Sequence, residues 1–166
     1  MAKMDRPNFV IPEAGYAQLG YWVGKSSAKS FVYVIQAEGD TPIKVGYANH
    51  IPNRLAGLQT GNPRPLELLH VLVGGRPLER DLHDLLGFDE RLMGEWFDGP
   101  RVPEFLEVVE MLAREMVLRH KNSKQLPSHR DFSPFRERYG PSTYVDWTDT
   151  LRSQRPDPAP VIAAWA

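Results

Sequence analysis

The chain has 166 residues, 42% hydrophobic and 25% charged, which suits one packed domain with extensions and excludes global disorder. It contains no cysteine, which excludes disulfides, thiolate metal sites and thiol nucleophiles and is compatible with a reducing cytoplasm. The net charge of −1 excludes a uniformly basic chain, so any phosphate affinity has to come from local basic groups. No apolar run has the length of a signal peptide or the ~18 residues of a membrane helix, so we expect a soluble cytoplasmic protein without membrane association.

Residues 1–30 are rich in proline and glycine, and we interpret them as an irregular N-terminal arm with one short element around Tyr21–Val23. The segments FVYVIQA and IKVGYA are β-branched and aromatic and are separated by the turn EGDTP, so residues 31–48 are predicted to form a hairpin. Asn49 is a candidate N-cap for the helix IPNRLAGLQ, in which Pro52 lies where a first-turn proline is tolerated. The following TGNPRP ends that helix.

The segment PLELLHVLV is a third candidate strand, and RPLERDLHDLLG predicts a second helix with its leucines on one face. The stretch FDERLMGEWFDGP is interpreted as a connector with an aromatic anchor, Trp96–Phe97, and residues 103–119 predict a third, packing helix. Residues 121–166 have scattered prolines and no period, so we expect an irregular tail. The sequence therefore predicts an α+β domain over residues 31–120, a small three-stranded antiparallel sheet flanked by helices.

Six pieces in order carry a resemblance to a known family: FVY at 31–33, KVG at 44–46, Arg54, LQTGNPRPLELL at 58–69, Glu79 and GEWF at 94–97. Residues 31–98 resemble the GIY-YIG nuclease superfamily, in the phage and bacterial DNA-associated branch whose second motif is Lys-hydrophobic-Gly. The resemblance implies hydrolysis of DNA phosphodiester bonds with a single divalent metal, Mg²⁺ or Mn²⁺.

The resemblance also implies roles for particular residues. Glu79 corresponds to the helix carboxylate that holds the metal, and oxygen ligands suit Mg²⁺. Arg54 corresponds to the helix arginine, whose planar fork suits phosphate. Tyr33 corresponds to the tyrosine of the first motif, which positions or deprotonates the nucleophile.

Two further residues extend this set of candidates. Lys44 stands where many members carry a tyrosine, and a lysine there would bind phosphate or act as a base. Tyr47 lies three residues further along and, in a regular strand, faces the opposite side of the sheet. His83 follows Glu79 by four residues, so both side chains share one helix face and the imidazole is a further catalytic candidate.

Each of these residues also has a purely structural interpretation. Tyr33 fits a half-buried sheet tyrosine, Lys44 an exposed edge residue, and His83 a packing histidine. Glu79 suits the first turn of a helix, where a carboxylate stabilises the helix dipole. Glu79 and His83 together also resemble half of a zinc site.

The tail contains a mixed aromatic and basic stretch, made of Arg136, Arg138, Tyr139, Tyr144 and Trp147, which suits either packing or nucleic-acid binding. Two functions compete with an endonuclease: a DNA-binding module of the same fold that does not cut, and a regulatory protein-interaction domain. No feature of the sequence indicates an oligomeric state.

Overall fold

The computed structural model of the protein describes residues 13–23, 25, 27–87 and 90–129. The described part is an α+β structure with four helices and five strands. In chain order these elements are α1 (Glu13–Trp22), β1 (Phe31–Ala37), β2 (Ile43–Ala48), α2 (Ile51–Thr60), β3 (Leu66–Val73), α3 (Arg76–Leu86), β4 (Arg91–Met93), β5 (Trp96–Phe97) and α4 (Val102–Ser123).

The sheet has five antiparallel strands in the order β3-β1-β2-β5-β4, so the prediction of three strands was wrong. The three predicted strands are present and form one side of the sheet. The two additional strands are only three and two residues long and come from the predicted connector. Their existence depends on pairing of Phe97 with Ile43 and of Trp96 with Lys44, contacts that local sequence patterns do not reveal.

The segment that was expected to be an irregular arm contains helix α1, which is a second correction. Its residues Leu19 and Trp22 are 2% and 1% exposed and belong to the same core as the sheet. Gly15 lies so close to β3 that a Cβ atom would be 2.0 Å from the carbonyl oxygen of Leu68. Gly15, one of the glycines that suggested an irregular arm, therefore permits close approach of the helix to the strand.

Helix α2 begins at Ile51, as predicted, but its N-cap differs from the predicted one. The N-cap is His50 rather than Asn49, and its Nδ1 accepts the N–H of Asn53 at 3.2 Å. The predicted turn after the helix is confirmed, because the N–H of the capping Gly61 donates to the carbonyl of Gln59. The Gln59 side chain also accepts the N–H of Leu66 at 2.8 Å and so ties the helix end to β3.

The core lies between the sheet and the helices, and the predicted apolar faces of α3 and α4 are buried in it. Each fully buried aliphatic or aromatic side chain contributes roughly 1.5–3 kcal/mol relative to an exposed one. The buried members are Leu78, Leu82, Leu85 and Leu86 of α3 and Phe105, Val108, Val109, Leu112, Met116 and Val117 of α4.

Helix α1 also covers the free edge of β3. The carboxamide oxygen of Gln18 accepts the N–H of Val71 at 2.7 Å, and its nitrogen donates to Nδ1 of His70 at 3.2 Å. One buried side chain thereby satisfies a strand N–H that has no strand partner. Within the described residues, no helix is both long and apolar enough to cross a membrane.

Candidate functional site

Tyr33 lies at the centre of β1, directly opposite Gly46 of β2. Its side chain is buried and rests against that glycine, since a Cβ atom at position 46 would lie 2.4 Å from the phenol oxygen. The glycine of the KVG segment is therefore needed to let the Tyr33 ring cross β2. This contact fixes the position of the phenol.

Arg54, one turn into α2, meets the phenol of Tyr33. Its Nε donates to the hydroxyl oxygen at 3.3 Å, and the side chain is otherwise exposed to solvent. Burial raises the pKa of Tyr33 above its usual value, Arg54 opposes this increase, and Glu95 and Glu79 add to it. The phenol is consequently protonated at neutral pH and has its own hydrogen to donate.

Glu79 lies in the first turn of α3 and faces the edge of β2. Its carboxylate accepts the backbone N–H of Tyr47, whereas its Oε2 atom is buried and has no hydrogen-bond partner. Burial raises the pKa of Glu79, and the charge of Glu95 raises it further. His83, Lys44 and the Tyr47 N–H oppose the shift.

His83 is fully engaged by its neighbours. Its Nε2 lies 2.8 Å from the carbonyl oxygen of Val45, so this nitrogen carries the hydrogen and donates it. Its Nδ1 then accepts from Nη2 of Arg91 at 3.3 Å, and the ring packs against Phe97 with centroids 5.0 Å apart. The geometry favours the packing interpretation of His83 over the catalytic one.

Glu79 and His83 together replace a neighbouring strand. The short β5 pairs with Ile43 and Lys44, and the carbonyl of Glu95 accepts the N–H of Val45 at 3.2 Å, so the edge of β2 lacks a neighbouring strand beyond that N–H. The two side chains, four residues apart on α3, accept from the N–H of Tyr47 and donate to the carbonyl of Val45. This structural role explains one oxygen of Glu79 and leaves the buried Oε2 unexplained.

Lys44 is paired with Glu95, which precedes β5. Its Nζ lies 2.5 Å from Oε2 of Glu95, and the two side chains are 9% and 36% exposed. The alternative structural interpretation of Lys44 as an exposed edge residue was therefore wrong, because β5 and Glu95 cover it. Glu95 influences Tyr33, Arg54 and Glu79 electrostatically and so belongs to the site. Glu95 was not among the predicted site residues, although it belongs to the GEWF segment that carries the resemblance.

A second arginine–tyrosine pair lies beside Glu79, and the sequence interpretation missed it. Nε of Arg76 donates to the hydroxyl of Tyr47 at 2.8 Å, as Nε of Arg54 does to Tyr33. Arg76 precedes Glu79 by three residues on α3, and Glu79 is among the charges that raise its pKa. The spacing of Arg76 and Glu79 was visible in the sequence, but the partner Tyr47 was not, because it lies on another element.

The donor set fits a magnesium-type site better than a zinc site. Among the residues that the structure describes, no three His, Asp or Glu side chains are grouped to hold a metal. Zinc sites in proteins need three or four such ligands, and both nitrogens of His83 are already occupied. Mg²⁺ is commonly held by one or two carboxylates and several waters, which matches the unpartnered Oε2 of Glu79.

Tyr33, Arg54, Lys44 and Glu79 thus form one cluster with Glu95, through two side-chain contacts and their mutual charges. Tyr33 contacts Arg54, Lys44 contacts Glu95, and Glu79 interacts electrostatically with both pairs. The aromatic and basic stretch at 136–147 lies outside the described residues.

The family model of the T5orf172 domain, a phage-associated domain with a relationship to GIY-YIG nucleases, matches residues 30–117, more than half of the chain. No curated protein and no solved structure shows significant similarity to the chain.

Proposed function

This chain belongs to the T5orf172 domain family, and we propose that it is a metal-dependent endonuclease that hydrolyses DNA phosphodiester bonds. The observation that carries the proposal is the buried, unpartnered Oε2 of Glu79. A buried carboxylate oxygen without a partner costs roughly 1–3 kcal/mol or more, so a ligand there would remove a penalty that the fold otherwise bears.

Glu79 is the residue that would hold the metal, Mg²⁺ or Mn²⁺. When bound, the ion supplies Lewis-acid stabilisation of the charge that develops on the phosphoryl oxygens. Burial and Glu95 raise the pKa of Glu79, and a positive ion is the species that relieves both effects. Lys44 already neutralises Glu95, which leaves Glu79 as the carboxylate open to a ligand.

Arg54 is suited to bind the scissile phosphate. Its Nε is held by Tyr33, and its exposed terminal nitrogens remain directed by that contact. A guanidinium fixed in this way presents its fork to phosphate oxygens at little entropic cost. Arg76, held in the same manner by Tyr47 and within electrostatic reach of Glu79, offers a second phosphate contact.

Tyr33 positions the attacking water as a neutral phenol. Its oxygen accepts from Arg54, and its own hydrogen is free to donate to an oxygen near Glu79. Because burial raises the pKa of Tyr33, proton abstraction by the phenolate is the less favoured role. The proposed assignment therefore gives Tyr33 orientation and Arg54 charge stabilisation.

The test is a cleavage assay on single- and double-stranded DNA with Mg²⁺ or Mn²⁺. Wild type is expected to cut in a metal-dependent way, and Glu79→Ala and Arg54→Ala are expected to lose roughly 100-fold or more in rate. Arg80→Ala is the matched control, because Arg80 is an exposed neighbour of Glu79 on the same helix. Equal rates for all four proteins would contradict the proposal.

A second candidate is a DNA-binding module that does not cut. The Lys44–Glu95 ion pair and the raised pKa of Tyr33 favour it, because neither group is then a ready base. Binding of DNA without cleavage in any divalent metal would establish this alternative. For either function we place the DNA substrate in the cytoplasm of a bacterium or a phage-infected cell.

A further inference from the structure

Two lysines converge on the ring of Tyr21, and a third, Lys124, acts electrostatically on His120 beside that ring. Lys25 follows α1, and Lys121 and Lys124 lie at the end of α4. Nζ of Lys25 is 4.7 Å from the centroid of the Tyr21 ring, and Nζ of Lys121 is 5.6 Å from it. We call Lys25, Lys121 and Lys124 the lysine cluster.

Tyr21 is fixed as the centre of this cluster. Its hydroxyl and Nδ1 of His120 are 2.6 Å apart, and its ring packs edge-on against Trp22 with centroids 4.9 Å apart. His120 is buried and adds no positive charge, because burial lowers its pKa and Lys25 and Lys124 lower it further. The platform is therefore rigid and neutral, and the charge comes from the lysines.

The lysine cluster has no acidic counterpart within the described part of the chain. None of its three ammonium groups forms an ion pair there, and all three side chains are exposed. Helix-dipole stabilisation accounts for Lys121 and Lys124 at the end of α4, but Lys25 belongs to another element. Like charges from two elements brought to one ring repel each other, and a bound anion would remove that repulsion.

The lysine cluster and the site at Glu79 are associated with different strands of the sheet. Helix α1, which leads into Lys25, covers the edge of β3, whereas Glu79 faces the edge of β2, and β1 separates the two strands. A ligand that reached both would have to be extended and negatively charged along its length.

We propose that the lysine cluster is a second binding site for the phosphate backbone of DNA, which holds the substrate away from the reacting bond. This proposal rests on the proposed function, since it assigns the same ligand. Lysines that contact phosphates add affinity without reading sequence, and each contact adds about one unit to the salt dependence of binding. The cluster would thus supply affinity that the overall charge of −1 does not.

The experiment measures binding of a fluorescein-labelled DNA duplex by anisotropy in EDTA, over a salt range of roughly 50 to 200 mM. Lys25→Glu combined with Lys121→Glu is expected to weaken binding on the order of tenfold or more at the lowest salt and to reduce the salt slope by about two. Lys25→Arg combined with Lys121→Arg keeps the charge and is expected to bind like wild type. Arg64→Glu, at an exposed residue whose side chain pairs with Asp40, changes the net charge by the same two units as Lys121→Glu alone, so the comparison of these two single variants controls for net charge.

The outcomes separate this inference from the proposed function, because binding in EDTA does not require cleavage. If only the lysine reversal weakens binding, the result supports DNA binding by the lysine cluster, whether or not the protein cuts DNA. Unchanged DNA binding by the double lysine reversal, or equal weakening by the single variants Lys121→Glu and Arg64→Glu, would overturn the proposed role of the lysine cluster without contradicting the nuclease. Failure of the wild type to bind DNA would also overturn it. Thermal melts of every variant confirm that the exposed changes preserve the fold.

Discussion

At the scale of single residues, the site depends on how Gly46 and Tyr33 fit together. The phenol can meet Arg54 only because position 46 has no side chain. The sequence shows a tyrosine and a glycine on neighbouring strands, but their direct opposition is a matter of register. The register of β1 and β2 therefore determines that Gly46 is the glycine required for the contact between Tyr33 and Arg54.

Gly46→Ala tests this fit. The added methyl lies 2.4 Å from the phenol oxygen, so Tyr33 has to move. We expect the free energy of unfolding to fall by about 1–3 kcal/mol. We also expect cleavage activity to be lost, because the phenol leaves its position. Gly57→Ala is the control, since α2 has open space there and alanine should stabilise the helix by about 0.5–1 kcal/mol. Urea denaturation and the cleavage assay measure both effects, and an active, stable Gly46→Ala protein would refute the fit.

The two tyrosines of the site can be compared directly. Tyr33→Phe removes the phenol that anchors Arg54 and orients water, and we expect a loss of about 100-fold in cleavage rate. Tyr47→Phe releases only the exposed Arg76, so its loss should be smaller. A larger loss of cleavage rate for Tyr47→Phe than for Tyr33→Phe would show that Tyr47, and not Tyr33, orients the attacking water.

At the scale of elements, side chains from helices cover strand edges that have no strand beside them. Gln18 of α1 does this for β3, and Glu79 and His83 of α3 do it for β2. Capping of this kind removes unpaired N–H and carbonyl groups that would favour aggregation. The residues of α3 that belong to the site therefore also cover the edge of the sheet. This contact fixes the position of the Glu79 carboxylate.

Gln18→Leu tests edge coverage away from the site. It leaves the buried N–H of Val71 without a partner, with an expected decrease of about 1–3 kcal/mol in the free energy of unfolding. Gln125→Leu changes an exposed glutamine and serves as the control. Equal stability of the two variants, measured by urea denaturation, would show that α1 does not depend on this contact.

The sequence predicted the elements that have a strong period of their own. The hairpin of β1 and β2, the strand β3 and the apolar faces of α3 and α4 follow from alternation and helical spacing, and all are present. Helix α1 was missed because Gly15 and Gly20 indicated a loop, whereas Gly15 serves close packing on Leu68. Strands β4 and β5 were missed because two or three residues carry no period.

The site was predictable only in part for a similar reason. The ordered motif identified Tyr33, Lys44, Arg54 and Glu79, and these come together with their charges coupled. Glu95 and Arg76 were not identified because their roles depend on partners 51 and 29 positions away in the chain. Long-range pairing of this kind is set by tertiary structure.

At the scale of the whole molecule, two buried ionisable groups give stability opposite dependences on pH. His70 is buried, and burial lowers its pKa to about 4. Between pH 6.5 and pH 4 the unfolded chain therefore protonates this histidine, whereas the folded protein keeps it neutral. Its contribution is present above pH 6.5 and is lost as the pH falls toward 4. The pKa of Glu79 is raised, so its contribution is present at acidic pH and is lost as the pH rises through that pKa.

The free energy of unfolding should therefore fall by up to roughly 3 kcal/mol between pH 7 and pH 4 because of His70 alone. His70→Gln keeps an acceptor for Gln18 and removes the titrating ring, so this part of the pH dependence should disappear. Urea denaturation of both proteins across the range measures the difference. The same pH dependence in the variant would show that other groups cause it.

The most direct measurement for the account as a whole is the cleavage rate of Glu79→Gln beside that of the wild type. Glutamine keeps an oxygen that can accept the N–H of Tyr47 and places an uncharged amide where Oε2 lies without a partner. We expect a folded variant, at least as stable as wild type at pH 7, whose rate of metal-dependent DNA cleavage is lower by roughly 100-fold or more. Wild-type cleavage rates in this variant would contradict it, because the unpartnered oxygen of Glu79 would then hold no metal that the reaction needs.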